Sequence, residues 1–324
     1  MIISDTHGKD FIATQKPRQN VDVAIHCGDL TDSSKLEEYR TAIKLLKAIN
    51  APLKLVIAGN HDFTLDIPAF ERKLSEAEPP IEPALVAKTY GVYGEARQLF
   101  EEAKDDDITF LDEGNHSFTL ANGASLNVYA SPYTPSFGAW GFQYHPDKGH
   151  AFAISPGTDI AITHGPPRGV MDYTHGRERA GCPDLFAAIA RARPRVHCFG
   201  HIHEGWGARM VTWREPPRTC DDEDDSASRK PTHSTAFINT ESPVVEKLST
   251  LPLSKFDSDE DTLRKAARHA RLEEERCIMT RHGAHDEFPL RQGEQTLFVN
   301  AAIESAGENM VQRPWIVELE LERA

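Results

Sequence analysis

An α/β layered sheet is the fold class this 324-residue sequence predicts, on two observations. Short apolar runs alternate with helical patterns through roughly the first 200 residues. Several of those runs end abruptly in Gly, Asp, Asn or His, as strands do where they leave a buried sheet. The composition agrees: 39% apolar and 27% charged residues suit a globular chain, and the length allows a large core.

Taken in order, strands are expected at 2–3, 21–26, 53–58, 108–111, 160–163 and 196–199. The stretches 117–120 and 126–129 flank Asn122-Gly123, a pair suited to the positive backbone angles of a tight hairpin turn. A helix is expected over 34–49, where Leu36, Tyr39, Ile43, Leu46 and Lys47 fall near a 3.6-residue period, and a second over 184–193. Strand patterns return at 296–300 and 315–321. Between them, 214–295 has few apolar clusters, an acidic run at 220–225 and many Ser, Thr and Pro. It reads as a largely exposed, partly disordered insertion with one helix near 257–276. The expected organisation is one main domain, 1–213 together with 296–324, interrupted by that insertion.

Several function classes are disfavoured. No apolar run approaches the roughly 20 residues of a membrane-spanning helix. The opening Met-Ile-Ile-Ser-Asp lacks the features of a secretory signal. The five cysteines (Cys27, Cys182, Cys198, Cys220, Cys277) are odd in number and include no C-x-x-C, which points to a reducing compartment, the cytoplasm by default. A formal charge of −14 with no basic stripe argues against polymeric nucleic acid and leaves room for a small anion in a locally positive pocket.

Five polar clusters share one position, just after an apolar strand: Asp5-Thr6-His7, Gly28-Asp29, Gly59-Asn60-His61-Asp62, Thr163-His164-Gly165 and Gly200-His201-Ile202-His203. Alone, a D-x-H or a Gly-Asp reads as a turn, and an H-x-H is only a hint that alternate imidazoles point the same way. Together they are hard to ascribe to turns, because ligands of α/β sheets gather beyond the carboxyl ends of the strands. Carboxylates, imidazoles and one amide, with no thiolate, suit Mn, Fe or Zn. Seven ligating side chains with one carboxylate shared supply enough positions for two ions. Two divalent ions against two carboxylates and a bridging hydroxide leave net positive charge, which attracts phosphate. The chemistry these residues indicate is metal-assisted phosphoester hydrolysis.

The ordered motifs D-x-H, G-D, G-N-H-[DE], H-G and G-H-x-H resemble those of the calcineurin-like metallophosphoesterase superfamily. The longer strings "ISDTHG", "HCGDLT", "ITHGPPRG", "ERAGC" and "HCFGHIHEGWG", with "TLFVNAA" and "RPWIVEL" near the end, are similar to its MPPED branch, which is related to class III cyclic-nucleotide phosphodiesterases. The resemblance covers about 1–213 and 296–324 and implies two packed mixed β-sheets flanked by helices. It implies one metal on Asp5, His7, Asp29 and His203 and a second on Asp29, Asn60, His164 and His201, with Asp29 bridging. His61 would protonate the leaving alkoxide, and Asp62 would be a supporting or turn residue. Manganese is the first expectation, iron or zinc the alternatives.

The stretch Gly28-Asp29-Leu30-Thr31-Asp32-Ser33-Ser34 lacks the arginine that protein phosphatases of the superfamily carry after their second motif. A small phosphodiester or phosphomonoester is the expected substrate, the diester first, with a cyclic nucleotide suggested only by the resemblance to the branch. Arg168, Arg177 and Arg179 are candidates to touch its phosphate, with ordinary surface arginines as the plainer reading.

Two departures from the family stand out. The chain opens four residues before D-x-H, where members carry a longer first strand, so that strand is expected to be short and weakly held, with a truncated start as one reading of it. The insertion has no counterpart in the resemblance. Its His282 and His285 are read as exposed loop histidines rather than a metal pair. The alternative function is a scaffold or regulator with a slow or vestigial site, binding a protein partner through 214–295.

Overall fold

A computed structural model describes residues 1–11, 16–215, 231–304 and 312–324. The acidic run 220–225 and Cys220 lie outside the described residues.

The chain begins with β1 (Ile2–Ile3) and β2 (Ala24–His26), and then α1 (Leu36–Lys47). α1 is amphipathic: it buries Leu36, Tyr39, Ala42, Ile43, Leu45 and Leu46, with acidic residues in its first turn and basic ones in its last, as the helix dipole favours. After β3 (Lys54–Val56), three short helices follow: α2 (Ile67–Ser75), α3 (Pro83–Tyr90) and α4 (Glu95–Glu102). The sequence does not announce these three. α3 buries no residue at all, and α2 and α4 bury two each, too few to set a visible period.

Next come β4 (Ile108–Phe110) and the hairpin β5 (Gly114–Thr119) and β6 (Ser125–Ser131), turning near Asn122-Gly123. A small ribbon, β7 (Thr134–Pro135) with β8 (Gln143–Tyr144), precedes β9 (Ile160–Thr163), α5 (Pro183–Ala192) and β10 (Val196–Phe199). The remainder is β11 (Gly207–Thr212), α6 (His233–Ala236), β12 (Val244–Lys247), α7 (Asp259–Glu275), β13 (Ile278–Arg281), β14 (Gln295–Asn300) and β15 (Trp315–Glu318).

These strands form two mixed sheets. One runs β13-β15-β1-β2-β3-β4, with β1 to β4 mutually parallel and β15 antiparallel to β1. The other runs β12-β11-β14-β10-β9-β6-β5, parallel across β14, β10, β9 and β6. Parallel strands are covered on both faces, which is why their sequences are continuous apolar runs. Ile25, Leu55, Val128, Ile162, Cys198 and Val299 belong to the core between the sheets. α1 and α4 cover the outer face of the first sheet, and α5 that of the second. Both parallel sets therefore end at one common edge.

Segment 214–295 is less detached than its composition suggests. It supplies β12 to the edge of one sheet and β13 to the edge of the other, and it places Leu248, Leu251, Leu272 and Leu290 in the core between the sheets. His282 corrects its sequence reading: it is buried, with Nδ1 2.7 Å from the Phe288 carbonyl and Nε2 2.8 Å from Thr280 Oγ1. The two hydrogen-bond partners explain how an imidazole can be buried there. His285 is exposed.

Candidate metal centre

The shared edge gathers the polar clusters. Asp5 and His7 follow β1, Asp29 follows β2, and Asn60 and His61 follow β3. His164 follows β9, and His201 and His203 follow β10. Backbone bonds splice these turns: Asp5 N donates to Gly28 O (3.0 Å), His7 N to Asp29 O (3.1 Å) and Gly200 N to His164 O (2.9 Å). Across the two sheets, His201 N donates to Asp5 Oδ1 at 3.0 Å.

The turns are tight and conformationally unusual. Asp5, His7, Asp29 and His201 all have positive φ, from 46° to 67°. Non-glycine residues rarely adopt that region, and such strain collects at functional sites. Two glycines leave the room: a Cβ on Gly59 would lie 2.3 Å from Asp29 Oδ1, and one on Gly200 would lie 1.9 Å from Asp5 Oδ2.

Ligand-type atoms converge in overlapping groups, each spanning no more than 4.8 Å: Asp5 with His7 and His203, His7 with Asp29 and His61, and Asp29 with His164 and His201. His203 Nε2 stands 3.3 Å from Asp5 Oδ1 and 3.4 Å from His7 Nε2, itself 3.9 Å from Asp29 Oδ2. On the other side His164 Nε2 faces Asn60 Oδ1 at 3.0 Å and Asp29 Oδ2 at 3.3 Å. Asp29 thus belongs to both halves.

This donor set fits a pair of cations. His164 Nδ1 lies 2.9 Å from the Cys27 carbonyl, an acceptor, so it carries a proton. In the neutral ring Nε2 is then a lone pair pointed at two oxygen acceptors, an arrangement that needs positive charge. Burial disfavours a second proton on His164, but Asp29 and Asp5 outweigh it and push the imidazole up to about 9. Burial also opposes ionisation of Asp29, yet His164 holds it down at about 2. Burial works against ionised Asp5 as well, and His203, His164 and His7 together hold its carboxyl low. Burial pulls His201 down to about 4, keeping it neutral, the form that ligates metals.

Asp62 does not face the ion groups. Its carboxylate accepts from Gly59 N (2.8 Å), Leu30 N (3.1 Å), Thr31 N (3.0 Å) and Thr31 Oγ1 (2.7 Å), tying the turn after β3 to the turn after β2. His61 N donates to Asp29 Oδ1 at 2.8 Å, and His61 Nδ1 donates to the Asp32 carbonyl at 2.6 Å. Its other nitrogen is free of that anchor.

The cleft above these residues has a volume of about 270 Å³ and is lined also by His175 and Glu204. Sequence reading missed both, although Glu204 directly follows the G-H-x-H string and pairs with His175 at 3.2 Å. It also missed Glu304, whose Oε2 lies 3.3 Å from His7 Nε2 and which also pairs with Lys9. No strand-end pattern marks His175 or Glu304. The three arginines are not brought to the cleft: Arg168 and Arg177 are exposed, and Arg179 pairs with buried Asp172 at 2.6 Å.

Two layered sheets thus carry a cluster of ligand-type residues at their shared strand edge. Residues 1–205 match the calcineurin-like phosphoesterase family, and the chain belongs to that family. Among curated proteins it is 32% identical to human metallophosphoesterase domain-containing protein 1 over 215 residues, 63% of this chain and 60% of that one. It is 32% identical over 214 residues to a probable rhamnogalacturonate lyase C of Emericella nidulans, 65% of this chain but 18% of that protein. A UPF0046 protein of Caenorhabditis elegans is 30% identical over 213 residues, 63% of this chain and 51% of its own. The chain thus spans less than two thirds of each of these relatives. Among solved structures, TT1561 of Thermus thermophilus aligns over 61% of this chain and 79% of its own at 13% identity, with a TM-score of 0.37. Among the described residues no helix is long and apolar enough to cross a membrane.

Proposed function

We propose that the chain is a dinuclear-metal-dependent phosphodiester hydrolase acting on a small substrate, with cyclic nucleotides the first to test. One observation carries the preference for a diester. Among the described residues lining the cleft there is no lysine or arginine, and Glu204 stands at its rim. A doubly charged monoester would need extra cations there, whereas a singly charged diester would not.

Asp5, His7, Asp29 and His203 would hold one ion, and Asp29, Asn60, His164 and His201 the other. Manganese is our first choice, with iron or zinc as alternatives. When bound, the ions supply Lewis acidity, lowering the pKa of water and neutralising charge on the phosphoryl oxygens. The chain supplies the proton. His61 carries one on Nδ1 for the Asp32 carbonyl and delivers a second from Nε2. A bond forms from a water oxygen to phosphorus, the bond to the leaving oxygen breaks, and that oxygen takes the Nε2 proton, while the water gives up its protons, one to solvent and one, by way of solvent, to restore His61. The products are an alcohol and a monoester. The described cysteines are free and buried, which suits the reducing cytoplasm we assign to the protein.

A second reading, a partner-binding arm within 214–295, is favoured by exposed Leu253, Phe256 and Leu263. The test compares kcat/KM for bis(4-nitrophenyl) phosphate and 4-nitrophenyl phosphate with added Mn²⁺ in wild type, and for diphenyl phosphate, whose leaving oxygen needs a proton, in wild type and His61→Ala. Preference for the diester, with turnover but not metal binding lost in the variant, is expected. A monoester preference would refute the diester assignment. Undiminished turnover in His61→Ala would refute its role as acid.

A further inference from the structure

We propose that Trp140 is a positioning residue for this reaction, its indole face locking the His61 ring with Nε2 toward the scissile bond. The inference rests on the reading of His61 as the proton donor.

An imidazole held by one hydrogen bond can still rock or flip about χ2, a broad and roughly two-fold torsion. Among the described residues His61 has such a single ring hydrogen bond, to the Asp32 carbonyl from Nδ1. Two other rings close in on it. The Trp140 ring lies 4.4 Å away, centroid to centroid, in a tilted contact with an interplanar angle of 32°. His7 meets it edge-on, at 4.9 Å and 88°. A ring nitrogen of His61 lies within 4.8 Å of the ligand atoms of His7 and Asp29.

Trp140 is itself pinned, although its side chain is partly open to solvent. Gly141 N donates to the Asn60 carbonyl at 3.0 Å, which couples the tryptophan loop to the turn bearing His61. A Cβ on Gly141 would lie 2.7 Å from Phe63 Cα, so the loop approaches as closely as glycine permits. Phe142 N donates to Asp66 Oδ2 at 2.7 Å, and Trp140 N to Gln143 Oε1 at 3.1 Å. From α2, Lys73 Nζ sits 4.3 Å from the indole centroid. The ribbon β7–β8 and its loop therefore form a strut against the outer face of the proton donor.

Misplacing a donor by about 1 Å can cost a rate about 100-fold, and the loss shows only where the leaving oxygen needs a proton. The test measures kcat and KM for diphenyl phosphate, a poor leaving group, and bis(4-nitrophenyl) phosphate, a good one. Trp140→Ala is expected to lower kcat for diphenyl phosphate by about 10- to 100-fold with little change in KM, and to spare the nitrophenyl ester. Trp140→Phe should restore most of the loss. Equal losses on both esters, or none, would overturn the proposal. Long-range ¹H–¹⁵N NMR of His61 gives a second readout that needs no turnover. A slowly exchanging Nδ1–H signal, held in the bond to the Asp32 carbonyl and weakened or lost in Trp140→Ala, is expected, and an unchanged signal would overturn the proposal. Wild type inactive on both esters would refute the hydrolase reading, while the NMR result still decides what Trp140 does.

Discussion

At the carboxyl ends of β1, β2 and β10, Asp5, His7, Asp29 and His201 all hold left-handed backbone. In 231–295 only Arg276, which closes α7, does so among the described non-glycine residues. The strand ends thus carry strain of about 1–3 kcal/mol per residue, tolerated because neighbouring turns fix each conformation. The 214–295 segment is attached by another means: a few large apolar side chains inserted between the sheets, and edge strands with mostly exposed faces. The first region specifies atom positions; the second adds burial. Damage to one should therefore abolish chemistry, and damage to the other should lower stability.

Gly200→Ala should break the first region most severely. The added methyl would fall on Asp5 Oδ2 and Ser4, so the Asp5 carboxylate must leave its place. Loss of at least one bound ion per chain is expected, read by metal analysis of the folded protein; full metal content would refute the claim of steric necessity. Leu272→Ala probes the second region. Leu272 is fully buried in the core between the sheets, so the expected cost is about 2–5 kcal/mol in urea unfolding, with kcat of the folded fraction unchanged.

A smaller effect sharpens the comparison through pH. Burial pulls His197, on β10 beneath the site, down to about 3 from its ordinary 6.5. The unfolded chain binds that proton first, so the stability from keeping His197 neutral is full above pH 6.5 and is lost as pH falls toward 3. Wild type should lose stability across this window, and His197→Gln should show a flatter urea-midpoint profile. Equal slopes would contradict the assignment. Smallest of all, Arg177→Ala should change KM by no more than about twofold, since the side chain is exposed and does not line the cleft.

Much of the fold was legible because buried parallel strands write themselves as unbroken apolar runs, and because each ends in a polar turn. The ligand candidates were legible for the same reason: Asp5, Asp29, Asn60, His164 and His201 each follow such a run directly. Trp140, His175 and Glu304 come from loops with no period, so their approach to the site depends on tertiary packing that one-dimensional spacing does not encode. Edge strands β12 and β13 escaped for a related reason. Their exposed faces leave neither an apolar run nor a clean alternation, and partner strands supply the pairing.

The most direct test of the central claim is the number of ions bound per chain in wild type and Asp29→Asn, by calorimetric Mn²⁺ titration of chelator-treated protein. Asp29 lies in two of the three convergent groups, one with His7 and one with His164 and His201. Two ions in wild type, with affinity reduced at both sites by the single substitution, is the expected result. A folded wild type that binds none, or a variant that keeps both sites intact, would contradict it.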